Sequence, residues 1–300
     1  MTIRGICRSG LSFLVLLAFW APMSRAADDE ATAKHLLRYH FKAGEELRWD
    51  VVHRKMVRTT YGGSTQATEA VSRSTKCWRV VEVDPEGAAT FESIVEDVDM
   101  RQKLPGTETI SYNSKKDETP PAGFVDAAKR VGRPLARVTL NPRGKTLKRT
   151  ALMPEAALKE TPELTIPLPE EPVAVGESWR ERHEVKLPLE NGAIKTILTQ
   201  QVYTLKGVQT GVATIEVANQ VLTPIHSPAI EAKLIERYSR GTVRFDMEAG
   251  RILSQQMDLD RRVVGFRGDD SSLHHLTRFT ENLIAPKSKG DVAAHDTDRK

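Results

Sequence analysis

The residues with chemical potential are scattered along the chain, and their spacing limits what they can do together. His35 and His40 stand five apart, which fits no usual ligand pair on one helix face. His53 and His183 fall early in two strand-like runs. His274 and His275 are adjacent, and adjacent side chains on a strand point to opposite faces, so they do not readily share one metal. There is no HExxH and no CxxC, and Cys77 is the only cysteine after residue 26. That excludes the cysteine-rich zinc sites.

Acyl-transfer chemistry fares no better. A serine nucleophile needs a sharp turn such as G-x-S-x-G. Gly63-Ser64 instead lies in Tyr61-Gly62-Gly63-Ser64-Thr65, the composition of a hairpin loop. Glu92, Asp97, Asp99 and Glu216 are the carboxylates that glycoside hydrolysis would recruit. They alternate with other residues along strand-like runs, as on a solvated sheet face. Lys115-Lys116-Asp117-Glu118 and Arg261-Arg262 read as solvated clusters. Asp269-Asp270-Ser271 lacks the ordered oxygen repeat of a calcium loop. Cys77 sits in an apolar run and reads as a buried, inert thiol. Trp49, Trp78 and Trp179 read as packing residues. The sequence therefore assigns no catalytic residue, no metal ligand and no cofactor.

The elements that carry these residues are mostly strands. Thr75–Val83 is rich in β-branched and aromatic residues, Asp84-Pro85-Glu86-Gly87 supplies a turn, and Ala88–Val98 resumes the pattern. Further strands are expected at Glu46–Thr59, Arg137–Leu140, Thr146–Arg149, Ser178–Leu187, Lys195–Leu205, Val212–Leu222, Gly241–Asp246, Ile252–Phe266 and Ser272–Leu283. Two segments read as helices, Gly123–Val131 and Ala229–Tyr238, each shortly after a proline (Pro121, Pro228). Gly87, Gly144, Gly211 and Gly250 fall at expected hairpin tips, where a positive φ costs glycine little. They are structural turns.

The pattern repeats. Ala43-Gly44-Glu45-Glu46-Leu47-Arg48 matches Val175-Gly176-Glu177-Ser178-Trp179-Arg180, and Gly87–Glu92 matches Gly211–Glu216. The helix prolines, Val138–Asn141 with Val243–Asp246, and Gly144–Leu147 with Gly250–Leu253 follow in the same order. The fold class expected is mainly β, of the α+β kind: two diverged copies of an antiparallel β unit, each with one short helix. The units span 41–150 and 173–284. A lead-in covers 27–40, a Pro/Glu-rich extended connector covers 151–172, and a polar, disordered tail covers 285–300.

Residues 1–26 read as a cleavable signal peptide. Arg4 and Arg8 give a positive start, Leu11–Trp20 an apolar run too short to span a bilayer, and Ser24-Arg25-Ala26 a cut between Ala26 and Ala27. Its removal takes away Arg4, Arg8 and Arg25, so 41 basic residues face 40 acidic ones, a net charge of about +1. Nucleic acid is not implied as a partner, and no membrane span is expected after cleavage. The expected location is exported, either periplasmic or secreted.

Several stretches carry a resemblance: Phe41-Lys42-Ala43-Gly44-Glu45, Val98–Lys103, Ile166–Trp179, Gly241–Asp246 and Gly250–Gln256. On these the chain resembles an uncharacterised family of exported, β-rich bacterial proteins of planctomycete type. The resemblance covers nearly the whole chain after residue 26 and implies no activity, cofactor or site residue. The expectation is a non-catalytic envelope or periplasmic protein holding an apolar ligand, a lipid or an envelope-protein partner on a curved sheet. The alternatives are an exported hydrolase with a carboxylate site and a structural envelope component.

Overall fold

The computed structural model describes residues 33–153, 165–189 and 192–285. The Ala26/Ala27 cut, the segment 154–164 and all of the tail beyond 285 lie outside the described residues. The chain is mainly β and antiparallel, with few short helices. Its strands are β1 (Lys34–His35), β2 (Glu46–Tyr61), β3 (Ser64–Val83), β4 (Ala89–Lys103), β5 (Ile110–Asn113), β6 (Pro134–Leu140) and β7 (Thr146–Ala151). Then come β8 (Val173–Ala174), β9 (Ser178–Pro188), β10 (Ile194–Gln209), β11 (Val212–Val221), β12 (Arg240–Asp246), β13 (Arg251–Val264) and β14 (Ser272–Leu283).

One large sheet runs in the order β7-β6-β4-β3-β2-β14-β13-β12-β11-β10-β9, with β5 added to β4, while β1 pairs only with β8. The stretch β7-β6-β4-β3-β2 has the same pairing order as β13-β12-β11-β10-β9, and β14 lies between them. A short helical segment separates β4 from β6 and another separates β11 from β12. The first is shorter than the sequence suggests, with a 3-10 turn at Ala122–Phe124 and a helix at Val125–Ala128. Val131 leaves it to form a bridge with Val95. The second comprises Pro228–Lys233 and Ile235–Tyr238.

The main core lies on one face of this sheet, and it is filled by chain that is not in the sheet. In the lead-in and the first residues after it, Leu37, Tyr39 and Phe41 point inward, while Leu36, His40 and Lys42 are exposed. The connector adds Ile166 and Leu168. Burying an apolar side chain of this size stabilises by about 1.5–3 kcal/mol. The lead-in is also tied by its backbone, with Tyr39 N donating to Pro142 O (2.7 Å) and His40 N to Gly250 O (2.9 Å). Those acceptors lie in the β6–β7 and β12–β13 turns. The Tyr39 hydroxyl donates to Ile166 O (3.1 Å) and accepts from Ile166 N (3.2 Å), which fastens the connector to the lead-in.

These contacts require curvature. Phe245 of β12 meets Tyr39, Tyr39 stacks on Phe41, and Phe41 meets Phe91 of β4, in ring steps of 5.3, 6.0 and 6.3 Å. Between β4 and β12 lie five strand spacings, roughly 24 Å in a flat sheet. The three steps cannot cover that distance, so the sheet bends around the lead-in.

Gly87, Gly144, Gly211 and Gly250 all have positive φ, and two of them do more than turn the chain. A Cβ on Gly144 would lie 2.5 Å from Tyr39 Cε2 and 2.7 Å from Ile166 O. One on Gly250 would fall on the His40 amide nitrogen and lie 2.7 Å from His40 Cβ. The lead-in is seated against both turns at a separation that only glycine allows.

Candidate binding surface

Cross-strand partners share a face, and successive residues on a strand alternate between faces. Leu47, Trp49, Val51, His53, Lys55 and Val57 of β2 therefore lie on the inner face. Their partners there are Trp78, Lys76, Ser74, Ser72, Ala70 and Thr68 of β3. Glu281, Phe279, Thr277 and His275 of β14 share the same face. On β13 it carries Gln255, Met257, Leu259 and Arg261.

The outer face holds most of the predicted carboxylates, as part of a charged ladder. Glu92 accepts from Arg137 (2.7 Å), and Glu46 joins Arg48 (2.6 Å) to Arg79 (2.9 Å). These two arginines hold Glu46 below the usual carboxylate range. Asp97 pairs with Lys115 (2.7 Å) and Glu216 with Lys206 (3.4 Å), while Asp99 stands in register with Arg73. Each of the four predicted carboxylates is thus set against an arginine or lysine on the same face. Cys77 is buried, and burial pushes its thiol up to about 11. It is not a nucleophile at neutral pH.

Trp49 and Trp78 are core residues, and the half-buried Trp179 stacks on Tyr203 and donates to Pro167 O (2.7 Å). Beside the first two lies an arrangement that the sequence reading missed. Lys76 sits 5.1 Å from the Trp49 ring centre and 4.9 Å from that of Trp78, and pairs with the buried carboxylate of Glu281. Gln255 donates to the other Glu281 oxygen. A cavity of about 10 Å³ beside this pair, lined by Tyr39, Phe41 and Arg251 among others, has room for no more than a water. The lead-in leaves no larger space here.

The histidines separate as strand geometry demands. His274 faces outward and meets Asp260 (2.8 Å), while His275 faces inward with its side chain 5% exposed. His183 stands opposite Thr199, and His35 opposite Val173. Among the described residues, no three His, Cys, Asp or Glu side chains converge on a metal position.

Beyond the main core, the inner face carries a strip of different character. Phe279 is half-buried, belongs to none of the apolar clusters, and meets the exposed His53 edge-on at 6.2 Å. Around it are the half-buried Val51 and Met257 at the margin of the main core, and Met100 at the margin of a second cluster built on Val98, Tyr112 and Phe124. Ser72 and Ser74 lie alongside, also half-buried. The bases Lys55, His275 and Arg261 follow along the strands, each facing the segment 228–238. Glu236 accepts from Lys55 (3.0 Å) and stands 3.8 Å from His275 Nε2. Glu231 takes Arg261 (2.5 Å), whose guanidinium lies 3.7 Å over the Tyr238 ring. Burial, and then the charge of Lys55, lower the His275 pKa; partial desolvation and Lys55 lower that of His53. Both rings are held toward the neutral form.

No protein-family model matches the sequence, and no curated protein matches it. Among solved structures, the chain is similar to one reported as lipid–protein interactions in lipovitellin, with 12% identity and a TM-score of 0.46. That match covers 83% of this chain and 26% of the other, so the chain spans about a quarter of the length of lipovitellin. A DUF1329 family protein from Desulfovibrio piger is similar at 11% identity and a TM-score of 0.14, over 79% of this chain and 84% of that one. A domain of an outer membrane lipoprotein-sorting protein from Vibrio parahaemolyticus is similar at 5% identity and a TM-score of 0.15, over 81% and 89%.

Proposed function

We propose that this is an exported, non-catalytic binding protein that holds an apolar ligand on the inner face of its curved sheet. The observation that carries the reading is the strip around Phe279. It places apolar and small polar side chains on the inner face, and among the described residues its central Phe279 joins none of the apolar clusters. Pockets for small ligands are mostly apolar with a few placed polar groups, and this strip has that composition. The space beside Trp49 and Trp78 is already filled by the chain itself, so the ligand belongs on the strip. Export rests on the signal-like residues 1–26, with cleavage between Ala26 and Ala27. Amino-terminal sequencing of the secreted or periplasmic product tests it. We also propose that 41–150 and 173–284 are diverged copies, a reading supported by the matched pairing order on either side of β14.

The test of binding is native mass spectrometry and organic extraction of the mature chain purified without detergent, together with titration of Nile red, a neutral apolar dye. The expected result is an extractable apolar compound and saturable dye binding that Phe279→Asp reduces by tenfold or more. A ligand-free protein that does not bind the dye overturns the reading.

A further inference from the structure

We propose that the ligand of this strip is an amphiphile with an anionic head, seated with its tail over Phe279 and its head on Lys55 and His53. The inference rests on the binding reading above and deepens it by naming the charge of the head. Among the described residues of the inner face, from the His53 row to the far ends of β2, β3, β13 and β14, the sheet offers bases and no acid. His53, Lys55, His275 and Arg261 stand there, whereas Glu281 lies nearer the core and is taken by Lys76 and Gln255. The acids that meet these bases, Glu231 and Glu236, both come from the covering segment 228–238.

Two features separate this from an ordinary structural ion pair. The first is that Glu236 is held loosely: its side chain is 67% exposed and that of Lys55 38%, so water screens the pair and exchange for another anion costs little. The second is the state of His275. It is buried, its Nε2 has no hydrogen-bond partner, and Glu236 Oε1 stands beyond bonding distance. A polar atom buried without a partner is unusual and here faces the same carboxylate that Lys55 holds. In this arrangement Glu236 serves as a built-in stand-in for the ligand's head. An incoming carboxylate or phosphate monoester takes its place on Lys55, with the exposed His53 beside it and the apolar tail running toward Val51 and Met257. The selectivity follows from charge: a cationic head would meet Lys55 and Arg261 with like charge, and a neutral head would leave the Lys55–Glu236 pair undisturbed.

The test is calorimetric titration of the mature chain with dodecanoate, dodecyltrimethylammonium and dodecyl maltoside, each below its aggregation concentration, with acetate as the head alone. Dodecanoate is expected to bind at least tenfold more tightly than the other two amphiphiles, and acetate not measurably. Lys55→Met should abolish that preference, whereas Glu236→Gln should strengthen dodecanoate binding several-fold by removing the competitor. Circular dichroism and urea midpoints of both variants check that the fold is kept. Equal binding of the three amphiphiles, or weaker dodecanoate binding in Glu236→Gln with the fold intact, overturns the inference and leaves apolar binding standing. Absence of binding by all three overturns both.

Discussion

The seat of the lead-in can be tested by substituting alanine at two glycines that the sequence treats alike. Gly211 and Gly250 both follow a strand at a tip, and both have positive φ, 78° and 60°. At Gly211 a Cβ meets nothing within 4 Å, so Gly211→Ala bears only the left-handed backbone penalty of about 1–2 kcal/mol. At Gly250 the same penalty is joined by collision with His40. Either the methyl group forces the packed lead-in aside, at about 1–3 kcal/mol, or the turn shifts and the 2.9 Å bond from His40 N to Gly250 O is lost, at about 1 kcal/mol. The expected gap between the two variants is therefore about 1–3 kcal/mol. With a urea slope at the upper end of the usual range, roughly 3 kcal/mol/M, that gap separates the midpoints by about 0.3–1 M. Gly144→Ala, which collides with Tyr39 and Ile166, should fall with Gly250→Ala. Midpoints for Gly211→Ala and Gly250→Ala that coincide within about 0.2 M would refute the seating of the lead-in against the β12–β13 turn.

Three further outcomes are expected. Lys76→Met should destabilise by about 3–5 kcal/mol because it strands the Glu281 carboxylate in an aromatic surround, and Lys76→Met with Glu281→Leu should recover most of the loss in chemical denaturation. His275 and His53 have folded-state pKa values lowered from 6.5, chiefly by burial, so the fold favours their neutral forms; Lys55 and His53 also oppose protonation of His275 and Glu236 favours it. The stability they contribute is complete above pH 6.5 and declines as pH falls through the lower folded values, so urea midpoints measured from pH 8 to pH 5 should drop, and drop less in His275→Gln. Cys77, buried and with its thiol pushed up to about 11, should react with iodoacetamide at pH 7.5 only after unfolding, as read by intact mass.

The strands were legible because their signal is local. Alternation across Glu46–Thr59 or Ser178–Leu187 needs only neighbours in sequence, and turns such as Asp84-Pro85-Glu86-Gly87 carry their own chemistry. The charged outer face was legible for the same reason, since alternating Glu and Arg on a strand has one comfortable side. The lead-in was not, although Leu37, Tyr39 and Phe41 recur with period two. That pattern signals an extended segment with one buried edge. Part of what buries it, at Ile166, Tyr203, Phe245 and Ile252, lies more than 100 residues away, and no local window contains it. The first helix was overread because Val131 fits its face, whereas the chain gives that residue to a bridge with Val95. The strip around Phe279 was invisible for a different reason. Its bases come from β2, β13 and β14 and its acids from 228–238, and only the cross-strand register puts them opposite each other.

The position of β14 has a bearing on how the molecule is assembled in time. This strand, at Ser272–Leu283, is the last among the described residues, yet it lies in the middle of the sheet between β13 and β2. β2 is made early and pairs with β3 at once, but its other edge stays open until β14 has been synthesised. The lead-in waits almost as long, because its hydrogen-bond acceptor at Gly250 lies 210 residues beyond His40. Contacts of such sequence separation slow folding and prolong the exposure of unpaired edges. A chain interrupted before residue 272 would lose the seam that joins its two halves, leaving two partial sheets with an open edge apiece. The final dozen residues of the described fold thus act as its completion signal.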